Sequence, residues 1–151
     1  MYFWSKLNKY STIMENVAQT KYYDILVDQD KNILVYRWKE TVLELNEEEY
    51  KKYFLDALKY LDEYKPKKVI QDSRIQVYPI TEELQKWIME NITPKFIKAG
   101  VEKIAYVMPE DFISKLALEQ LVLKLISSRQ EIKRLYFSDF DQAIKWAEEK
   151  N

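Results

Sequence analysis

Residues 103–138 read KIAYVMPEDFISKLALEQLVLKLISSRQEIKRLYFS, two short apolar runs on either side of a long helical one. Residues 103–108, KIAYVM, form a short buried strand. Pro109-Glu110-Asp111 opens a helix, with proline preset for the first turn and two acids on the positive end of its dipole. Phe112, Ile113, Leu116, Leu121, Leu125 and Ile126 surround most of the circumference of this helix, which predicts deep packing. Residues 133–138, KRLYFS, form the next strand. Strand, long helix, strand implies parallel pairing through a right-handed crossover.

The same unit repeats upstream. Val69-Ile70, between Lys68 and Gln71-Asp72, marks a short buried strand over 68–72. After the connection SRIQVYPI (73–80), Thr81 caps a helix with Glu82 and Glu83 in its first turn and an apolar stripe of Leu84, Trp87, Ile88 and Ile92. Pro94 either kinks this helix or starts a second short one capped by Thr93. Gly100 is placed as its left-handed terminator. Further upstream, Asn46 caps a helix whose first turn is Glu47-Glu48-Glu49. Tyr50, Phe54, Ala57, Leu58, Leu61 and Tyr64 recur at helical spacing before Pro66. Residues 22–28 and 33–38 are β-branched and aromatic and flank Gln29-Asp30-Lys31-Asn32, a hairpin signal. Downstream, Ser138 with Asp141 caps a final helix whose buried face is Phe140, Ala143, Ile144 and Ala147. Residues 1–21 are assigned to an N-terminal arm in which Tyr2, Phe3, Trp4, Leu7 and Tyr10 lie on the core or on a neighbouring subunit, or form a short helix. Residues 22–151 form one α/β domain: a mixed, mostly parallel five-stranded sheet with an N-terminal β-hairpin and about four helices.

Composition excludes more chemistry than it admits. The 151 residues contain no His, no Cys and one Gly. Imidazole acid–base catalysis, Ser–His nucleophiles, thiol chemistry and the usual zinc sites are therefore removed. Glycine-rich phosphate loops need at least two glycines and are removed as well. The 24 Lys and Arg balance 25 Asp and Glu, so no basic excess marks a nucleic-acid surface. No apolar run approaches the roughly 20 residues of a spanning helix, nor the 7–15 of a secretory signal. A cytoplasmic protein without membrane insertion, nucleic-acid partner, metal or cofactor is expected.

The ordered pattern resembles the STAS-like domains, related to the anti-sigma-factor antagonists and to the cytoplasmic tails of sulphate transporters. The likeness is to small bacterial members of that family. It is carried by Trp38 at the hairpin end, Asp72-Ser73-Arg74 after a strand, Leu84-Gln85-Lys86-Trp87-Ile88, Phe137-Ser138-Asp139, and Ala143-Ile144-Lys145-Trp146. It covers residues 22–149. The resemblance implies a non-enzymatic module that binds a protein partner or itself, in some members under control of a phosphorylated Ser or Thr after a strand-end Asp. Ser73 matches that position. The antagonists open a small, glycine-containing helix directly after that residue; here Arg74 follows, and seven residues separate Ser73 from Thr81.

Asp72, Ser73, Arg74, Tyr78, Gln85 and Trp87 are the candidate ligand- or partner-binding residues. Ligands of open α/β sheets bind at the carboxyl ends of the strands, where Asp72, Ser73 and Arg74 fall. Arg74 can clamp a carboxylate or phosphate; the structural alternative is an Asp72–Arg74 ion pair holding the loop. Tyr78, Gln85 and Trp87 flank the same crevice and can line a pocket; the alternative for Trp87 is core. A carrier or sensor of a small apolar or anionic ligand near the end of strand 68–72 is the alternative function, and an enzyme using Asp72, Arg74 and a Tyr ranks below both. The acidic runs are explained by helix dipoles, and Lys65-Pro66-Lys67-Lys68 by a solvated turn.

Overall fold

In the computed structural model, which describes residues 14–75, 78–128 and 131–150, the chain alternates between a six-stranded sheet and the helices that cover it. The strands are β1 (Glu15–Gln19), β2 (Tyr23–Asp28), β3 (Ile33–Trp38), β4 (Lys68–Asp72), β5 (Lys103–Val107) and β6 (Lys133–Phe137). The helices are α1 (Glu47–Ala57), α2 (Lys59–Tyr64), α3 (Glu82–Asn91), α4 (Thr93–Lys98), α5 (Phe112–Ser128) and α6 (Phe140–Glu148). The strands lie in sequence order. β1, β2 and β3 pair antiparallel, and β3 to β6 pair parallel.

This order fixes the layers. Each parallel crossover steps one strand in the same direction, so right-handed crossovers deposit α1 to α5 on one face. Their core includes Tyr23, Ile25, Leu34, Tyr36, Val69 and Ile104. After β6 the chain turns back, and α6 covers the opposite face, packing Phe140, Ala143, Ile144 and Ala147 on Ile33, Val35, Ile70, Ala105 and Val107. Covered on both faces, β3 and β5 become almost continuously apolar.

The mixed, mostly parallel α/β architecture is as expected, with one more strand. β1 falls within the residues assigned to the arm. Its sequence, ENVAQ, is polar, its pairing with β2 shifts register between Asn16 and Ala18, and only Val17 and Ala18 pack on the core. It therefore lacks the apolar alternation by which strands are read. The aromatic residues of the arm, Tyr2 to Tyr10, lie outside the described residues.

Most helix ends follow the expected chemistry. Asn46 and Glu49 form a reciprocal capping box of 2.8 and 3.0 Å, and Thr81 Oγ1 accepts from Leu84 N at 3.1 Å. Gly100 has φ +85°. Two ends differ. Asp139, not Ser138, caps α6, its Oδ1 accepting from Asp141 N at 3.0 Å. Thr93 is the first residue of α4 rather than its cap, because Ile92, which joins α3 to α4, keeps helical angles and Pro94 falls in the first turn of α4.

The largest departure is α5. Expected to be deeply packed, it buries Leu118, Leu121, Val122 and Leu125 but leaves Phe112 72% exposed, Ile113 71% and Leu123 55%, with Leu116 and Ile126 also exposed. It lies beside the edge strand β6, and nothing among the described residues covers its outer side. No described helix is long and apolar enough to cross a membrane.

Candidate functional site

The carboxyl end of β4 carries residues of opposite character on its two faces. Side chains alternate across a strand, so Asp72 points toward α6 while Gln71 and Ser73 point into the layer of α1 to α5.

On the α6 side, Asp72 binds two arginines. Arg37 is its register partner on β3, and Arg37 Nε donates to Asp72 Oδ2 at 2.7 Å. Arg74 donates from Nε to Oδ1 at 2.9 Å, from Nη2 to Oδ2 at 2.8 Å and from its backbone N to Oδ1 at 3.2 Å. Both guanidinium groups lie over the Phe140 ring, 5.2 and 4.7 Å from its centre. Burial would push the Asp72 carboxyl up; the hydrogen bonds and charges of Arg74 and Arg37 outweigh it and hold the group below the usual carboxylate range. Asp139 and Asp141 also act on Arg74. The cluster thus ties β3, β4 and the start of α6 together, and its arginines are already committed to carboxylates.

On the other side lies a cavity of about 70 Å³ between the sheet and the helices. Its wall is apolar and aromatic, with Trp38, Tyr50, Phe54, Phe96 and Ile104 prominent. Gln71, Ser73, Thr93 and Arg134 supply polar groups. Gln71 Oε1 accepts from Trp38 Nε1 at 3.3 Å, and Arg134 Nε donates to the Tyr106 hydroxyl at 3.2 Å. Burial raises the Tyr106 hydroxyl's pKa and Arg134 draws it partly back. Tyr78 closes one side. Its ring stacks on Tyr50 with centres 4.1 Å apart and planes 15° from parallel, and its hydroxyl donates to Leu45 O at 2.9 Å.

The six expected residues therefore separate. Ser73 and Tyr78 share the cavity; Asp72 and Arg74 share the clamp on the other face. Gln85 is buried and accepts from Lys124 Nζ at 2.6 Å, tying α3 to α5. Trp87 is half-buried and packs against the core, edge-on to Phe54 at 6.5 Å and beneath Lys51 Nζ at 5.5 Å. Ser73 is only 8% exposed, so its hydroxyl is closed to a modifying enzyme in this conformation. Gln71, Thr93, Tyr106 and Arg134 were not among the expected site residues. Strand alternation alone would have paired Gln71 with Ser73, whereas no sequence signal turns Arg134 inward. Among the described residues, no group of three or more acidic side chains could hold a metal ion.

A third feature lies outside the crevice. Phe112, Leu116, Leu123 and Ile126 fall within about 80° on a helical wheel and form a continuous outer stripe on α5. Glu119 lies within it. Leu135 and Tyr136, also exposed, lie on opposite faces of edge strand β6, Tyr136 on the α5 side and Leu135 on the α6 side. A groove lined by Ile126, Ile132, Leu135 and Trp146, together with Lys133 and Arg134, runs along that edge.

The chain matches no protein-family model, no curated protein and no solved structure.

Proposed function

We propose that the chain is a non-enzymatic, STAS-like interaction module of the cytoplasm that pairs with a second copy of itself through α5 and the β6 edge. The observation that carries this reading is the outer stripe of α5. It is an apolar helix face at the spacing of a helix–helix seam, continuous with an open strand edge. An open edge is itself a template for strand pairing. Antiparallel pairing of β6 with its copy, centred on Tyr136, sets Leu135 of one chain opposite Phe137 of the other, so apolar groups are matched along the edge. Such an arrangement joins two sheets into one and brings the two α5 stripes toward each other.

Glu119 favours a second reading. A carboxylate in the middle of an apolar seam suits an amphipathic helix of another protein that carries Lys or Arg at the facing position. Sedimentation of the purified chain over a concentration series separates the two. The first reading expects a reversible dimer that Leu123→Glu disperses and Glu119→Leu tightens. A chain that stays monomeric into the high micromolar range, in both the wild type and Glu119→Leu, overturns self-pairing.

A further inference from the structure

The cavity beneath α3, α4 and α5 lies on the opposite side of α5 from the docking face, and we propose that it is a binding site for one compact, uncharged aromatic molecule bearing a single hydrogen-bonding group, a phenol being the simplest example. Size sets the first limit. A volume of about 70 Å³ is room for a few waters and roughly half that of an engineered apolar cavity that admits benzene, so a single small ring is the upper limit and a fatty acyl chain is excluded. The walls set the second. Trp38, Tyr50, Phe54 and Phe96 present ring faces and edges, the surfaces against which an aromatic guest gains contact beyond its buried area.

The hydrogen-bonding group is called for by two hydroxyls. Ser73 and Thr93 line the cavity at 8% and 3% exposure, and neither hydroxyl makes a hydrogen bond among the described residues. Both hydroxyls open onto the cavity, so an apolar guest strips them of water and leaves them unpaired, whereas a guest that bonds to one of them keeps it satisfied. Charge sets the last limit. No carboxylate lines the cavity to meet a cationic guest, and its cation, Arg134, already has partners, Tyr106 among them. An anionic guest would have to compete for Arg134, whereas a neutral one leaves that arrangement in place.

The test uses the full chain with 4-fluorophenol, read by fluorine NMR and by Trp fluorescence, with benzene and benzoate as comparison probes. The expected result is saturable one-to-one binding of the phenol, displaced by benzene, with benzoate weaker than either. The double variant Ser73→Ala with Thr93→Val should weaken phenol roughly tenfold and leave benzene within about twofold of the wild type, the loss expected of one buried hydrogen bond. Circular dichroism and a melting curve on the same samples separate this from loss of folding; the wild-type displacement experiment needs no variant. Phenol that fails to saturate, phenol binding unchanged in the double variant, or benzoate binding more tightly than phenol would each overturn the proposal.

Discussion

Arg37 and Asp72 face each other across the β3–β4 pair, and the 2.7 Å contact between Nε and Oδ2 joins two neighbouring parallel strands at their carboxyl ends. The carboxylate is 2% exposed and serves Arg74 as well. Asp72→Asn leaves two guanidinium groups facing one neutral amide. Because both arginines retain access to water, the loss falls below that of a fully buried pair, about 2 kcal/mol. For a chain of this length that lowers Tm by roughly 4–8 °C. A thermal melt beside the wild type checks it, and an unchanged Tm would show that the clamp adds nothing to stability.

The same carboxylate gives a pH dependence of defined sign. Its folded pKa lies below the ordinary 3.8. A depressed carboxylate contributes stability that is complete above its unfolded value and is lost as pH falls through the folded one. Urea unfolding between about pH 6 and 2.5 should therefore show a loss of stability below roughly pH 4 that is shallower in Asp72→Asn. Parallel acid limbs in the two proteins would contradict this.

Leu123 lies outward on α5, away from Leu121 and Leu125. Leu123→Glu should change the unfolding free energy of the isolated chain by no more than about 0.5 kcal/mol, as exposed substitutions do. A large drop in urea-unfolding stability at a concentration where the chain is monomeric would mean that this side of α5 is packed within its own fold.

Gly100 ends α4 at φ +85°, and a Cβ there would meet only Lys67 Nζ, at the ordinary distance of 3.7 Å. Space is thus available and backbone conformation is the obstacle. Gly100→Ala should cost about 1–2 kcal/mol, measured by urea unfolding, while Gly100→Asn costs less because Asn tolerates the left-handed region. Equal losses for the two would point to crowding instead.

Lys103 donates from Nζ to the carbonyls of Trp146 at 3.0 Å and Glu149 at 2.7 Å, closing the end of α6 from a buried position on β5. Lys103→Met keeps the stem and removes these bonds. Amide exchange in the last turn of α6 should accelerate while the strands keep their protection. Unchanged exchange there would mean that the helix end holds without the lysine.

The alternation of strands and helices was legible because Val69-Ile70, residues 103–108 and the β2–β3 hairpin are short apolar runs bounded by turn and capping residues. β1 was not, since a polar edge strand gains its order from backbone pairing rather than from side-chain burial. The outer face of α5 was misjudged for a different reason. Apolar residues around a helix record that the helix seeks cover, and are silent on whether its own chain supplies it. At the candidate site, the strand-end position of Asp72, Ser73 and Arg74 was legible. Their division between two faces follows from the two-residue period of a strand. Thr93, Tyr106 and Arg134 reach the cavity from three other segments, a convergence that only the tertiary structure provides.

α5 has one further consequence. Leu118, Leu121 and Leu125 line the cavity, while Phe112, Leu116 and Leu123 form the outer stripe of the same rigid rod. Whatever fills the one side and whatever covers the other act on a shared body. If filling the cavity changes the affinity of the outer face by some factor, covering the outer face must change the affinity of the cavity by that same factor. The helix is thus the place where two binding equilibria would be thermodynamically linked, and a measurement made on either side reports on both.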